Sequence, residues 1–289
     1  LETALWLESD RMGFLLEAVT EASLANQIDV VQNERRQSVV NRPYGLMDEQ
    51  LTQALFPAPH PYFGNVIGSM DDIAAASLED VQAFFRTYYT PANAICQLAG
   101  DFEPEEAKAL VAKYFGTLTG SLAPERVVPP APVLEEERVI AFTEGVGKLE
   151  KLSVAWIGPP AFSEGTAALD VLAHIISGVR SSRLDRKVSF EDPMAQSVTA
   201  YFQEHLSASV FQIDIVLKPG RTADEALAAV DEVLAGFEKV PPMPGEVERA
   251  KNAWESSTLR RLQQLGGFGG RAEVLQSYKH YTGTPDRLA

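Results

Sequence analysis

Apolar residues at three- and four-residue spacing dominate the first part of the chain, and that period is the mark of amphipathic helices. Leu5, Trp6, Met12, Leu15, Leu16 and Val19 give residues 1–20 an apolar face that Gly13 interrupts. Leu24, Ile28 and Val31 predict a second helix, 26–38, which Asn41-Arg42-Pro43 ends because the residue before proline avoids helical geometry. A helix over 46–56 is closed by Pro57, Pro59 and Pro61. Ser77, with acids in the turn after it, reads as the N-cap of a helix running to about 89. Residues 94–99 read as an apolar strand ending at Gly100-Asp101. Residues 104–115 form a helix with acids first and Lys113 last, as the helix dipole favours.

The pattern changes after 117. Ser121-Leu122-Ala123-Pro124 and Pro129-Pro130-Ala131-Pro132 have no periodicity, so 121–138 is read as a linker, closed by Glu135-Glu136-Glu137. Beyond it, 139–143 and 152–157 read as strands separated by Gly145 and Gly147. A helix over 165–177 buries Leu169, Leu172, Ile175 and Ile176. Ser181-Ser182-Arg183-Leu184 opens a short helix, and 197–203 and 209–217 read as paired strands. Helices follow over 223–237, 246–265 and 271–281. Strands and helices without strict alternation define an α+β class.

At 289 residues the chain is long enough for two domains. The net charge of −15 argues against nucleic acid and anionic membrane surfaces, which call for basic patches. No apolar run reaches the roughly 18 residues of a membrane span. Cys96 is the single cysteine, so no internal disulfide and no cysteine-rich metal site is available, and its place in an apolar strand pattern predicts a buried, inert thiol.

Chemistry concentrates in Val30-Val31-Gln32-Asn33-Glu34-Arg35-Arg36-Gln37. The apolar stripe of that helix, continued, runs onto Glu34 and Arg35. A carboxylate at the end of such a stripe calls for a cation, a backbone amide or a metal. Spacing alone favours the plain outcome, in which Glu34 pairs with Arg35 or Arg36 or reaches solvent.

The run VVQNERRQSVVNRPYG resembles the segment that carries the third zinc ligand in the pitrilysin-type (M16, inverzincin) metallopeptidases. ALWLESDRMG, HPYFGNVIGSMDDI, FFRTYYTPANAICQLAGDF, KYFG, SGVRSSRL and LGGFGGRAEVLQSY resemble further segments of that family, in its order. The resemblance implies that Glu34 is a carboxylate ligand of a catalytic zinc. The family's H-x-x-E-H signature does not occur here: His60, His174, His205 and His280 lie far apart in sequence. In the family that motif lies upstream of the Glu34 segment. The chain is therefore expected to be a piece of a longer peptidase, lacking two zinc ligands and the general base, with no zinc bound and no hydrolysis by itself. Gln27, two helical turns before Glu34 and on the same face, stands where many members carry a second carboxylate; an amide supports a ligand only by hydrogen bonding.

The resemblance also implies two related layered domains of mixed or antiparallel sheet with helices. Residues 1–120 would be the C-terminal part of the zinc-bearing domain, hence incomplete. Residues 139–289 would be its companion, truncated at its end. The intact protein would hydrolyse peptides or unfolded segments held between two half-molecules, the second on the same chain or a separate subunit. The alternative is a non-catalytic partner subunit, or a peptide-binding or assembly protein. Periplasmic or secreted and cytoplasmic settings are equally open. Other candidates have plainer readings: Glu8-Ser9-Asp10-Arg11 as a salt-bridged turn, His60 as a turn residue, His174 as a core or interface residue, Asp101 as a strand-end turn residue and Arg183 as part of a structural turn. The Gly266–Gly270 cluster lacks the preceding strand of a phosphate loop.

Overall fold

The computed structural model describes residues 1–287. In chain order the elements are α1 (Glu2–Ala18), α2 (Glu21–Arg35), α3 (Gly45–Leu55), α4 (Met70–Ala75), α5 (Leu78–Tyr88), α6 (Pro104–Phe115), β1 (Lys151–Gly158), α7 (Thr166–Ile176), α8 (Arg183–Arg186), β2 (Ala195–Gln203), β3 (Ser209–Leu217), α9 (Ala223–Lys239), α10 (Pro244–Leu262) and α11 (Arg271–Thr282). Single π-helical turns follow α2, at Arg36–Val40, and α8, at Lys187–Glu191. The class is α+β, many helices with a small antiparallel sheet. The chain divides into two compact units.

One unit comprises Leu1–Val31, Asp71–Arg126 and the chain from Glu255 onward. In it α1 packs on α6, and Leu5 and Ala107 are buried. Gly13 lets Leu118 approach α1: a Cβ there would lie 2.6 Å from Leu118 Cδ2. Glu2 accepts from Lys113 Nζ and Tyr114 Oη, both at 2.7 Å. A capping box between Ser77 and Asp80 starts α5, whose Phe85 is buried and stacked on Tyr89. The strand expected over 94–99 is not formed among the described residues. An apolar run is only a candidate strand, and a ladder needs a partner strand, which the described residues do not supply here. Cys96 is accordingly exposed rather than buried.

The other unit comprises Gln32–Met70 and Val127–Trp254 and holds the sheet. Its order is β1-β3-β2, antiparallel throughout, from Lys151↔Val216 to Gly158↔Ser209 on one side and from Ala195↔Leu217 to Gln203↔Val210 on the other. No helix or strand is assigned between Phe115 and Lys151, so 139–143 is not a strand either.

Strand alternation gives the sheet two different faces. From β3, Phe211, Ile213, Ile215 and Leu217 enter the main core with Leu152 of β1, Ala200 and Phe202 of β2, Ile176 of α7, Leu184 of α8, and Ala226 and Val230 of α9. Ile213, Ile215 and Leu217 are fully buried, and each such side chain contributes about 1.5–3 kcal/mol. The opposite face divides lengthwise. Val210, Ala155 and Ile157 pack with Leu51, Leu55 and Phe56, the C-terminal half of α3 and its following residue. Gln212, Asp214, Ser153, Lys151 and Tyr201 form a polar group at the other end.

Candidate functional site

Glu34 and Arg35, neighbours in sequence, have opposite environments. Arg35 is the residue that continues the stripe of Leu24, Ile28 and Val31, and it is buried, with 6% of its surface exposed. Its Nη2 donates to both oxygens of Glu49 on α3, at 3.1 and 2.8 Å. Glu49 also accepts from Asn65 Nδ2 at 2.9 Å, and Asn65 Oδ1 accepts from Gly68 N. Arg36 donates to Asn33 and Gln32. Both arginines that sequence offered to Glu34 are therefore engaged elsewhere. Glu34 is exposed, and among the described residues its carboxylate has no ion pair.

Glu34 lines a cavity of about 680 Å³ together with Arg42, Tyr44, Asp48, Glu49, Asn65 and Lys151. The chain reaches this wall through the π-helical turn after α2, which Asn41 N closes on Arg36 O at 2.8 Å. Ser38 Oγ donates to Glu34 O at 2.7 Å. Tyr44 then takes a left-handed conformation, φ 63°. Its N–H donates to Glu144 Oε1 at 2.6 Å, which also accepts from Gly147 N at 2.9 Å, and its hydroxyl donates to Leu149 O. Gly45 starts α3 so close to the preceding turn that a Cβ would collide with the carbonyl oxygen of Val39.

Beside the cavity lies the polar end of the sheet. Asp214 accepts from Ser153 Oγ, from Gln212 Nε2 at 2.9 Å and from Tyr201 Oη at 3.5 Å, and pairs with Lys151 Nζ at 3.3 Å. Desolvation, then the Asp214 charge, raises the Tyr201 hydroxyl above its ordinary range, so it stays a donor. Desolvation also pushes the Asp48 carboxyl up, with Asp214 adding to it and Lys151 and Arg42 opposing.

The other candidates have structural roles or none that the structure gathers at this cavity. Arg183 donates to Glu246 at 2.9 and 2.7 Å and to the carbonyls of Val240 and Pro241, and lies over the Phe237 ring. His60 Nδ1 accepts from Tyr62 N, and its ring packs with Phe56 and Tyr62. His174 is half-buried on α7, and Glu8 pairs with Arg11. Glu49 and Asn65 were missed by sequence reasoning. The pair partner of Arg35 lies fourteen residues away and has no local signature; the available signal was Arg35 itself, a cation in register with an apolar stripe.

The model of the Peptidase M16 inactive domain matches residues 75–254, and the chain belongs to that family. Glu34 lies before the matched span. Among curated proteins the chain is similar to the zinc protease PqqE of Helicobacter pylori, 27% identical over 256 residues, covering 87% of this chain and 55% of that protein. The chain spans about half the length of the curated relatives it matches. Among solved structures it shares its fold with a protease from Helicobacter pylori, at a TM-score of 0.82 and 23% identity over 98% of this chain and 67% of that one. It also shares it with the first half of the periplasmic protease PqqL from Escherichia coli, at a TM-score of 0.75 and 15% identity over 98% of this chain and 61% of that one.

Proposed function

We propose that this chain is part of a zinc-dependent endopeptidase that hydrolyses peptides or unfolded segments, and that Glu34 supplies one carboxylate to its zinc site. The observation that carries the reading is the state of Glu34: an exposed carboxylate on a cavity wall, left without a cation while Arg35 and Arg36 are held by other partners. The zinc-protease names of the curated relatives support it. A catalytic zinc site takes three protein ligands. Among the described residues no three His, Cys, Asp or Glu side chains gather to hold a metal. In this proposal the chain donates one ligand, Glu34, and the remaining ligands and the general base come from sequence outside it. Zinc bound there supplies Lewis-acid activation of a carbonyl and of water. Within this chain, Arg35 and Arg36 are held by other partners and leave the Glu34 carboxylate open to the cavity. Alone, the chain is expected to be inactive.

In this reading residues 1–120 belong to the zinc-bearing domain, 121–138 link, and 139–289 form the companion domain, a wall for substrate without chemistry of its own. The match to the inactive-domain family runs over residues 75–254 and so takes in 139–254 of that companion domain together with 75–120 of the first. The exposed side chains of Trp6, Phe14 and Phe84 and the unladdered 94–99 segment support an incomplete first domain. A second half-molecule, on the same chain or separate, completes the substrate chamber. Gln27, an amide in place of a supporting carboxylate, favours a second reading: a non-catalytic partner that binds peptides.

The test is made on the full-length protein. Zinc content and peptide cleavage that are both lost in Glu34→Gln are expected. Retention of zinc in that variant overturns the ligand assignment, and a parent protein that folds but neither binds zinc nor cleaves peptides selects the second reading.

A further inference from the structure

We infer that Arg35 and Glu49 are positioning residues for Glu34: their buried ion pair fixes the last turn of α2 so that the adjacent carboxylate faces the cavity ready for a metal ion. This rests on the reading of Glu34 as a zinc ligand. The two side chains are 7% and 13% exposed, so the pair is shielded from water. The contact uses both carboxylate oxygens, and Asn65 holds the same carboxylate from a third direction, which restricts its orientation. Arg35 and Glu34 are consecutive on one helix, about 100° apart around its axis. Fixing the rotation of α2 at Arg35 therefore fixes the direction of Glu34. The regular helix ends at Arg35, and the π-helical turn that follows adds only a backbone hold on Glu34, from Ser38 Oγ to Glu34 O at 2.7 Å.

The pair has a second effect. Glu49 lines the same cavity as Glu34 and would compete for a cation there. Bound to Arg35 and Asn65, it is already neutralised. Arg35 is correspondingly unable to neutralise Glu34. Its Nε and Nη1 have no acceptor among the described residues, although both are buried.

The experiment measures zinc affinity of the full-length protein by competition with a chromophoric chelator, with folding checked by circular dichroism. Glu49→Gln is expected to weaken zinc about 10- to 100-fold, the usual effect of losing a residue that orients a ligand. Arg35→Lys keeps the charge but loses the two-oxygen contact and is expected to show an intermediate loss. Glu246→Gln breaks an ion pair of similar burial in the same unit that does not line the cavity, and should leave zinc affinity unchanged. Asn65→Ala removes support from Glu49 without breaking the pair; a loss of a few fold is expected, and it reports on the inference even if the ion-pair variants do not fold. Folded variants at 35, 49 or 65 with parental zinc affinity overturn the inference, as does an equal loss in Glu246→Gln. If Glu34→Gln itself keeps zinc, the ligand reading fails first; if it loses zinc while Glu49→Gln and Asn65→Ala do not, only the positioning role fails.

Discussion

The backbone N–H of Tyr44 donates to the carboxylate of Glu144, 2.6 Å away and one hundred residues along the chain. Tyr44 adopts a left-handed conformation that non-glycine residues avoid, and Glu144 together with the Tyr44 hydroxyl contact at Leu149 holds it there. Glu144→Ala is therefore expected to destabilise this unit by about 1–3 kcal/mol, the cost of leaving partly buried donors unpaired. Urea denaturation followed by circular dichroism checks it; an unchanged midpoint would show that the turn holds itself.

Glycine at position 45 has a steric cause. A Cβ would strike the Val39 carbonyl oxygen, which is backbone and cannot swing aside. Gly45→Ala should cost about 1–3 kcal/mol, as overpacking does, despite alanine's higher helix propensity. A gain in melting temperature would contradict this account.

Arg183 and Glu246 form another buried ion pair, their side chains 14% and 8% exposed. Hydrogen bonds from Arg183 hold the Glu246 carboxyl at about 2, against an ordinary 4.5. A depressed carboxylate stabilises the fold above its unfolded value and loses that contribution as pH falls toward the folded one. Burial also lowers the His205 ring below its ordinary 6.5, so it too disfavours the fold as acid protonates it. Melting temperature should fall from about pH 6 toward pH 2, and Glu246→Gln should flatten the part below about 4.5. Arg183→Ala, which leaves Glu246 buried and unpaired, should cost about 3–5 kcal/mol at neutral pH.

Asp48 has the opposite sign. Desolvation raises its carboxyl, so its ionised form opposes folding. The contribution is favourable at low pH and is lost as pH rises through the raised value. Asp48→Asn should therefore raise the melting temperature at pH 7 and leave it nearly unchanged at pH 3.

How much of this was readable in the residues varies with the range of the interaction. The helix Pro104–Phe115 and the strand Ser209–Leu217 stand at the bounds that their local pattern predicts. Residues 94–99 and 139–143 carry strand-like patterns but no ladder, because pairing depends on what lies alongside, not on the segment itself. The stripe through Leu24, Ile28 and Val31 runs onto both Glu34 and Arg35, and the pattern raised only the question of what pairs with Glu34; it does not by itself show which of the two is buried. Packing against α3 settles that in favour of Arg35, the longer side chain, able to reach Glu49.

The two faces of β3 set a limit on how this sequence can drift. Residues 211, 213, 215 and 217 feed one core, while 210, 212 and 214 face α3 and the polar network. A single inserted residue in the middle of β3 would carry Asp214 into an apolar interior and an isoleucine toward Lys151 and Tyr201. Gains and losses of one residue are therefore barred from this strand. Changes of length can accumulate instead between residues 122 and 133, a stretch without helix or strand that lies apart from the anchored Leu118, Glu144 and Leu149.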